Sequence, residues 1–417
     1  MIQKQKKLIS KILIILFFIS YFVPSFYSFD RIGNQWLYLS IICSISFLFI
    51  LFETSAHSKI KSLFKEKGLI TYSIFIIWAM VSILYSFNKS EAIVTFNQYF
   101  TVFISFVIIK ILLTNIPNGI NLILKMFLLG FFLEIILSIS PILVDIEKGE
   151  LVFRSTRYIG AAANVNITSF SLLYKTPILL YFFCKENRIF LKIIYVLAFI
   201  STLLIISVLG TRSAYISVVV IIISYIIYLT QLKNRFLFKI KHILPIIGSA
   251  LIILFISSII SEKGADIISR ASTISIDTND GSVNQRLRYY KQGISYFFEN
   301  PFFGTGIGNW KIFSIKYDRE HIDGYVVPYH AHNDFIQLLV ELGVFGLLLY
   351  STFIFYSIKK LFRIDFFENK INFLFLGIAG TYFIDSMLNF PIARPISQIF
   401  LIFFICLISL YNKKSYV

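Results

Sequence analysis

A series of about twelve long apolar runs restricts the fold of this 417-residue sequence more than any other feature. Most runs are about 18–22 residues long, the length with which an α-helix crosses a hydrocarbon core of roughly 30 Å. Hydrophobic residues make up 57% of the chain and charged residues 15%, whereas about a quarter of a soluble domain is charged. The sequence therefore predicts an all-α integral membrane protein in which residues 1–417 form a single polytopic domain. The predicted spans lie near 8–24, 35–53, 69–88, 92–113, 119–140, 166–184, 189–210, 212–232, 243–261, 335–357, 371–388 and 395–411.

The loops between these runs indicate an orientation. If the N-terminus lies in the cytoplasm, every sizeable inner loop is basic, as the positive-inside rule requires, and both termini are cytoplasmic. The net charge of +17 then reflects membrane orientation and does not indicate nucleic-acid binding. The first apolar run lacks a small-residue cleavage site, so we expect a retained first helix rather than a signal peptide. The three cysteines lie in apolar runs without a C-x-x-C pair, which indicates neither a disulfide framework nor a zinc site.

Two long loops remain on the outer side, 141–165 and 262–334. Within the second, Val283, Leu287, Tyr290, Ile294 and Phe297 recur at helical spacing. We expect an amphipathic helix near 283–299 that lies along the outer membrane–water boundary, with its apolar stripe in lipid or against the bundle. The glycine-rich segment "GTGIGNW" at 304–310 is interpreted as a tight turn that leads back to the membrane, because its spacing is not that of a nucleotide-binding loop.

Arginines are distributed differently from lysines in this topology, because most of them lie outside. Arginine binds phosphate through a planar two-pronged contact and stays charged at any working pH. The external arginines therefore indicate a site for a phosphate or pyrophosphate group. Arg212 and Arg394 are favoured for this role because each lies near a helix end with few acids nearby, whereas Arg31, Arg270 and Arg319 are expected to pair with acids of their own loops.

The stretch "PYHAHNDFIQLLVELGVFG" at 328–346 places polar side chains at the mouth of an apolar helix. An imidazole titrates near the working pH and can act as a general base. Asn333 or Asp334 is expected to cap the helix, which leaves His332 free for catalysis, while His330 is expected to support His332 or to contact a substrate. A metal site at the two histidines is disfavoured because no third ligand stands at a motif spacing.

Three further residues of this helix are candidates for structural or supporting roles. Gly343 and Gly346 are expected on one helix face, where they would allow close helix packing. Glu341, like Glu134 in an earlier span, should face the protein interior. For Glu341 a substrate-orienting role and a structural hydrogen bond both remain open.

Motifs between about 154 and 350 resemble those of the bacterial O-antigen ligase and polymerase superfamily. His332-Asn333, followed nine residues later by Gly343-Val344-Phe345-Gly346, resembles its His-Asn…Gly-x-x-Gly signature. "ENPFFGTGIGNW" resembles its Asn-Pro-x-x-Gly-x-Gly-x-Gly-Asn segment. "LGTRSAY" at 209–215 resembles a Thr-x-Ser-Arg helix start, although the arginine here precedes the serine. "RYIGAAANVN" at 157–166 resembles an Arg-x-x-Gly…Asn-x-Asn loop, with Val165 where proline is common.

The resemblance implies a C-type glycosyltransferase-like fold with one large periplasmic loop. It also implies an inverting reaction, independent of metal and cofactor, that transfers a glycan from undecaprenyl pyrophosphate on the outer face of the bacterial inner membrane. His332 would be the catalytic base, and external arginines would bind the pyrophosphate. The candidates for this binding are Arg157, Arg212, Arg286, Arg288 and Arg394.

Three functions remain open at this point. A ligase would attach a finished polysaccharide to a lipid-A-core sugar, and a polymerase of the same superfamily would extend lipid-linked repeat units with the same residues. The signature favours the ligase, because polymerases diverge more around it. A transporter or flippase would be expected to show two related halves, and no half-repeat is visible in the sequence. The sugar, its linkage, the acceptor and the oligomeric state are not encoded in any recognisable pattern.

Overall fold

The computed structural model describes residues 2–24, 26, 30–53, 55–162, 164–232, 236–261, 281–317, 319–321, 328–362 and 370–414. The regular secondary structure of these residues is helical. The helices are α1 (Ile2–Ile19), α2 (Arg31–Leu51), α3 (Ala56–Leu63), α4 (Lys67–Ser82), α5 (Lys89–Thr114), α6 (Gly119–Lys148), α7 (Val165–Lys185), α8 (Ile189–Leu209), α9 (Arg212–Gln231), α10 (Phe236–Ser261), α11 (Gly281–Glu299), α12 (Trp310–Tyr317), α13 (Asp334–Ile358), α14 (Asn372–Leu388) and α15 (Pro395–Lys414). Short 3₁₀ turns lie between several of them.

Each predicted span coincides with one of these helices. Among the described residues, seven helices are long and apolar enough to cross a membrane, and they are α2, α5, α6, α7, α8, α9 and α13. The shorter apolar helices α4, α14 and α15, together with α1 and α10, match the remaining predicted spans. The predicted all-α membrane fold is therefore confirmed. Its boundaries shift by a few residues, most clearly in α6, which continues beyond the predicted end at 140 to Lys148.

The chain forms two compact units. The first comprises Met1–Gly119, Ile276–Lys360 and Ser386–Val417. Within it, α4 packs along α13 through stacked aromatic rings, with the Tyr72 and Phe353 ring centroids 4.1 Å apart. The Trp78 indole N–H also donates to the Leu342 carbonyl at 2.9 Å. These contacts fix the α13 helix that follows the histidine pair. That the whole chain acts as one membrane domain stays a prediction.

The second unit comprises Ile120–Ser275 and Leu361–Asp385. Its interior holds a buried ion pair between Lys175 of α7 and Glu134 of α6, with an N–O distance of 2.9 Å. The Ser171 hydroxyl donates to the second Glu134 oxygen at 2.7 Å. Such a buried pair is tolerated only when its remaining polar atoms are also satisfied. The arrangement explains how an apolar span accommodates Glu134.

The α13 helix is interrupted at Gly343, which has φ 64° and ψ −168°. This finding corrects the expectation that Gly343 and Gly346 share one face of a regular helix. The interruption exposes backbone groups, and the glycine-rich segment pairs with them. Thr305 N donates to Val340 O, Gly306 N donates to Glu341 O, and Val344 N donates to Pro301 O, each at 2.9 Å. In a membrane protein, such broken helices require partners for the freed backbone groups, and residues 301–306 supply them.

Candidate functional site

The mouth of α13 is shaped by the backbone of two neighbouring residues. Asn333 caps the helix, because its side-chain oxygen accepts hydrogen bonds from Phe335 N at 3.0 Å and Ile336 N at 3.1 Å. His332 precedes it with a φ of 55°, a left-handed conformation that is uncommon for residues other than glycine. Backbone strain of this kind persists only where surrounding contacts hold it, and it clusters at functional sites. The turn directs the chain away from the helix axis just before the cap.

The ring of Phe390 contacts both histidines and one arginine. His330 stacks on it, with ring centroids 4.3 Å apart and an interplanar angle of 16°. His332 meets it edge-on at 5.0 Å, and the Arg394 guanidinium lies 4.6 Å from its centroid. The segment is tied to α13 because Ile392 N donates to the buried Asp334 carboxylate at 3.1 Å. Phe390 therefore gathers three of the predicted site residues around one aromatic ring.

Both imidazoles are neutral at physiological pH, because their pKa values lie well below the range near the working pH that the sequence led us to expect. Burial lowers the pKa of His330 to about 3, and the positive charges of Arg394 and a protonated His332 act in the same direction. Burial also lowers the pKa of His332 to about 4, assisted by Arg286 and Arg394. The Nδ1 atoms of both rings are buried without a hydrogen-bond partner among the described residues. A neutral imidazole with an unoccupied nitrogen is the form that can accept a proton.

Helix α11 packs beside this mouth. Its buried face carries Tyr289 and Tyr296, and Gly293 allows close approach, since a Cβ there would lie 2.8 Å from Ile336 of α13. The predicted apolar stripe is offset from this face, because Leu287 and Ile294 are exposed. Its placement against lipid stays a prediction.

Tyr290 of α11 connects the two segments that carry the site. Its hydroxyl lies 2.9 Å from His332 O and 3.2 Å from Met387 O, and it can donate to either carbonyl. Tyr290 therefore links the left-handed His332 turn to the segment that leads into Phe390.

The glycine-rich segment closes against the buried Glu341. This carboxylate accepts hydrogen bonds from Gly308 N at 2.8 Å, Trp310 N at 3.0 Å and the Gln337 side chain at 3.2 Å. Gly308 has a φ of 72°, and a Cβ there would lie 2.2 Å from the Thr95 hydroxyl. Of the two possibilities left open for Glu341, the structural hydrogen bonds are thus present. The glycine-rich segment also forms the expected turn.

A cavity of about 580 Å³ lies in the first unit beside His330. Helices α2 and α5, the glycine-rich segment, α13 and the segment after Phe390 all contribute to its lining. The polar and aromatic lining residues are Asp30, Trp36, Glu91, Thr95, Gln98, Tyr99, Lys311, Tyr329, His330, Gln337, Glu341 and Arg394. His332 does not line the cavity, but it contacts the same Phe390 ring as His330.

The first unit brings together His330, His332, Asn333, Asp334 and Arg394, with Arg286 near enough to influence the pKa of His332. Arg288 lies two residues along α11, with its guanidinium 5.8 Å from the centroid of the Tyr289 ring. Gly346 lies one turn beyond the break in α13.

The other two predicted arginines belong to the second unit. Arg157 forms an ion pair with the buried Asp145, with an N–O distance of 2.8 Å, and about half of its side chain is exposed. Tyr158 also donates to Asp145, at 2.7 Å. Arg212 is the first residue of α9. Within the described residues no group of three His, Cys, Asp or Glu side chains is arranged to hold a metal ion.

Sequence reasoning missed Phe390 and Tyr290, which hold the histidines, and Trp36 and Gln98, which line the cavity. Phe390 stands four residues before Arg394 in the segment "FPIARP". An aromatic residue directly before Pro391 and the Arg394-Pro395 pair, between two predicted spans, was the available signal. Trp36 and Gln98 lie inside predicted spans, where nothing in the pattern separates them from ordinary helix positions.

Comparison with known protein families matches residues 197–351 to a family described as O-antigen ligase. No curated protein matches the chain significantly. The matched region contains α11, the glycine-rich segment, the histidine pair and the break at Gly343. This match supports the resemblance of the chain to the O-antigen ligase and polymerase superfamily.

Proposed function

We propose that the protein transfers a glycan from an undecaprenyl-pyrophosphate carrier to a lipid-A-core sugar, as an O-antigen ligase. The reaction takes place on the periplasmic face of the bacterial inner membrane, and both termini are cytoplasmic. The observation that carries this proposal is the pair of neutral imidazoles beside Arg286 and Arg394 at the mouth of α13. A base and positive charge are the two elements that transfer from a pyrophosphate donor requires.

His332 acts as the base in this mechanism. It accepts the proton of the acceptor hydroxyl while that oxygen attacks the anomeric carbon of the donor sugar. The bond between that carbon and the pyrophosphate oxygen breaks, and its electron pair leaves with the pyrophosphate. Attack opposite the leaving group inverts the anomeric configuration. General-base catalysis of this kind typically contributes about 10²–10⁴-fold.

The arginines stabilise the charge that develops on the departing pyrophosphate. Arg286, Arg288 and Arg394 of the first unit would supply this charge, and Arg157 and Arg212 stay candidates for phosphate binding in the second unit. Fixed positive charge aimed at a developing anion is often the largest contribution to catalysis. For Arg157 the phosphate competes with Asp145, so we expect it to contribute less than the other arginines.

A gene deletion separates the ligase from the polymerase of the same superfamily. Loss of a ligase leaves finished long chains on the undecaprenyl carrier, and lipid A carries only its core. Loss of a polymerase leaves single repeat units on the carrier or on lipid A. Analysis of carrier-linked and lipid-A-linked glycans by chain length therefore decides between them. Unchanged distributions in both pools would contradict either function.

A further inference from the structure

The cavity beside His330 contains an unused hydrogen-bond donor. Trp36 of α2 is 7% exposed and lines the cavity. Its indole N–H is buried and has no hydrogen-bond partner among the described residues. A buried donor that stays unpaired destabilises the protein. A ligand oxygen in the cavity would remove this destabilisation.

A second polar group of the lining is also unoccupied. The half-buried Gln98 of α5 lines the same cavity, and its amide makes no hydrogen bond within the described part of the chain. An amide offers two donors and one acceptor. Together with the indole N–H of Trp36, it gives the cavity neutral donors and an acceptor that no protein group uses.

Most charged groups of the lining, by contrast, already have partners. Lys311 pairs with Glu91, and Glu341 accepts three hydrogen bonds from the protein. Asp30 accepts a hydrogen bond from Gly33 N at 2.8 Å at the start of α2. Arg394 lies over the Phe390 ring and is assigned to the pyrophosphate in the proposed function. The paired charges, together with the unpaired neutral groups, favour an uncharged polar ligand at Trp36 and Gln98.

The size and the aromatic content of the cavity fit a sugar. Sites for small ligands enclose roughly 300–1,000 Å³, and this cavity encloses about 580 Å³. Trp36, Tyr99 and Tyr329 offer apolar ring surface, and His330 forms part of the wall. A sugar bound here lies beside His330, whose ring stacks on the same Phe390 ring that the proposed base His332 contacts.

We propose that this cavity is a recognition subsite for an uncharged sugar. Trp36 donates its indole N–H to a sugar oxygen, and the Gln98 amide forms hydrogen bonds with a neighbouring hydroxyl or acetamido group. The role of this subsite in glycan transfer rests on the proposed function. Sugar binding itself can be measured without any transfer. Trp36 and Gln98 would then select which sugar enters the reaction.

The test measures sugar binding by the full-length protein in lipid nanodiscs with saturation-transfer NMR. The probes are glucose, galactose, N-acetylglucosamine and N-acetylgalactosamine. We expect saturable binding of at least one of them. Trp36→Phe, which keeps an aromatic ring, and Gln98→Leu should each weaken it about fivefold, the effect of losing one hydrogen bond.

Two neighbouring positions provide matched controls. Leu37 on α2 and Asn97 on α5 are exposed and do not line the cavity, so Leu37→Phe and Asn97→Leu should bind sugar like the wild type. His332→Ala should also bind sugar and yet fail to transfer glycan. If no probe binds saturably, or if Trp36→Phe and Gln98→Leu both bind like the controls, the subsite assignment is wrong. Transfer by His332→Ala at the wild-type rate would instead overturn the proposed function and leave the binding result standing.

Discussion

Replacing Gly343 with alanine tests the broken form of α13, because the two possible helix geometries predict opposite effects. In a continuous helix, Gly343→Ala should stabilise the protein by up to about 1 kcal/mol, the difference between the helix propensities of the two residues. In the observed structure, φ is 64° and ψ is −168°, a combination that only glycine adopts readily. A Cβ at this position would lie 2.2 Å from Phe302 O and 2.9 Å from Phe303 N.

The expected loss of stability has two sources. A non-glycine residue in this backbone conformation costs about 1–3 kcal/mol. The clash with Phe302 also displaces the segment that donates or accepts three backbone hydrogen bonds around the break, each of which contributes about 1 kcal/mol. With all three bonds lost, we therefore expect Gly343→Ala to lower the free energy of unfolding by about 4–6 kcal/mol.

The free energy of unfolding can be measured from tryptophan fluorescence as the SDS mole fraction of mixed micelles is raised. Gly248 in α10 is the matched control, because a Cβ there would meet nothing within 4 Å. Gly248→Ala should leave stability unchanged or raise it slightly. The reasoning about the broken helix fails if Gly343→Ala is as stable as the wild type or more stable.

Three further substitutions test the site. Glu341→Gln should lower the free energy of unfolding by about 1–3 kcal/mol, because the new NH₂ group cannot accept a hydrogen bond from the backbone N–H of Gly308 or Trp310. The free energy is measured by urea or SDS titration, and an unchanged value would show that these bonds are unimportant. The pKa of His332 is lowered to about 4, so its neutral base form prevails above that value, and kcat/KM should stay constant from about pH 5 to 8. Removing positive charge with Arg286→Gln should raise this pKa and move the acidic limb of the kcat/KM profile to higher pH. An acidic limb near 6.5 in the wild type, the ordinary pKa of histidine, would contradict the assignment of His332 as the base. Tyr290→Phe removes the hydroxyl that holds His332 O and should lower kcat about threefold to tenfold with little change in KM; a change in KM alone would exclude a positioning role.

The fold was largely predictable because lipid leaves the backbone few alternatives. A segment in the hydrocarbon core must satisfy its own hydrogen bonds, so a long apolar run indicates a helix. The cap at Asn333 was predictable for a similar local reason, since an amide side chain before an apolar run matches the unpaired N–H groups of a helix start.

The break in α13 was not predictable, because its cause lies elsewhere in the chain. Gly343 in an apolar run is equally consistent with close helix packing, and only the docking of residues 301–306 onto its backbone distinguishes the two. Glu341 shows the same limit. Its partners at Gly308 and Trp310 precede it in another segment, and neither spacing nor composition links them.

The composition of the site was predictable only in part. His330 and His332 stand out as imidazoles at a helix mouth, but their common contact with Phe390 depends on how a distant segment folds back. Their pKa values likewise depend on burial and on Arg286 and Arg394, which local sequence does not reveal. The roles of His332 and of the arginines stay predictions until transfer is measured.

The most direct test of the central claim is the rate of glycan transfer by purified His332→Ala with an undecaprenyl-pyrophosphate-linked glycan as donor. His330→Ala provides the comparison, because both histidines contact Phe390 but only His332 is proposed as the base. We expect His332→Ala to reach the membrane, to unfold like the wild type and to lose at least about 10²-fold in kcat, while His330→Ala retains measurable transfer. Transfer by a folded His332→Ala at the wild-type rate would show that this imidazole is not the catalytic base.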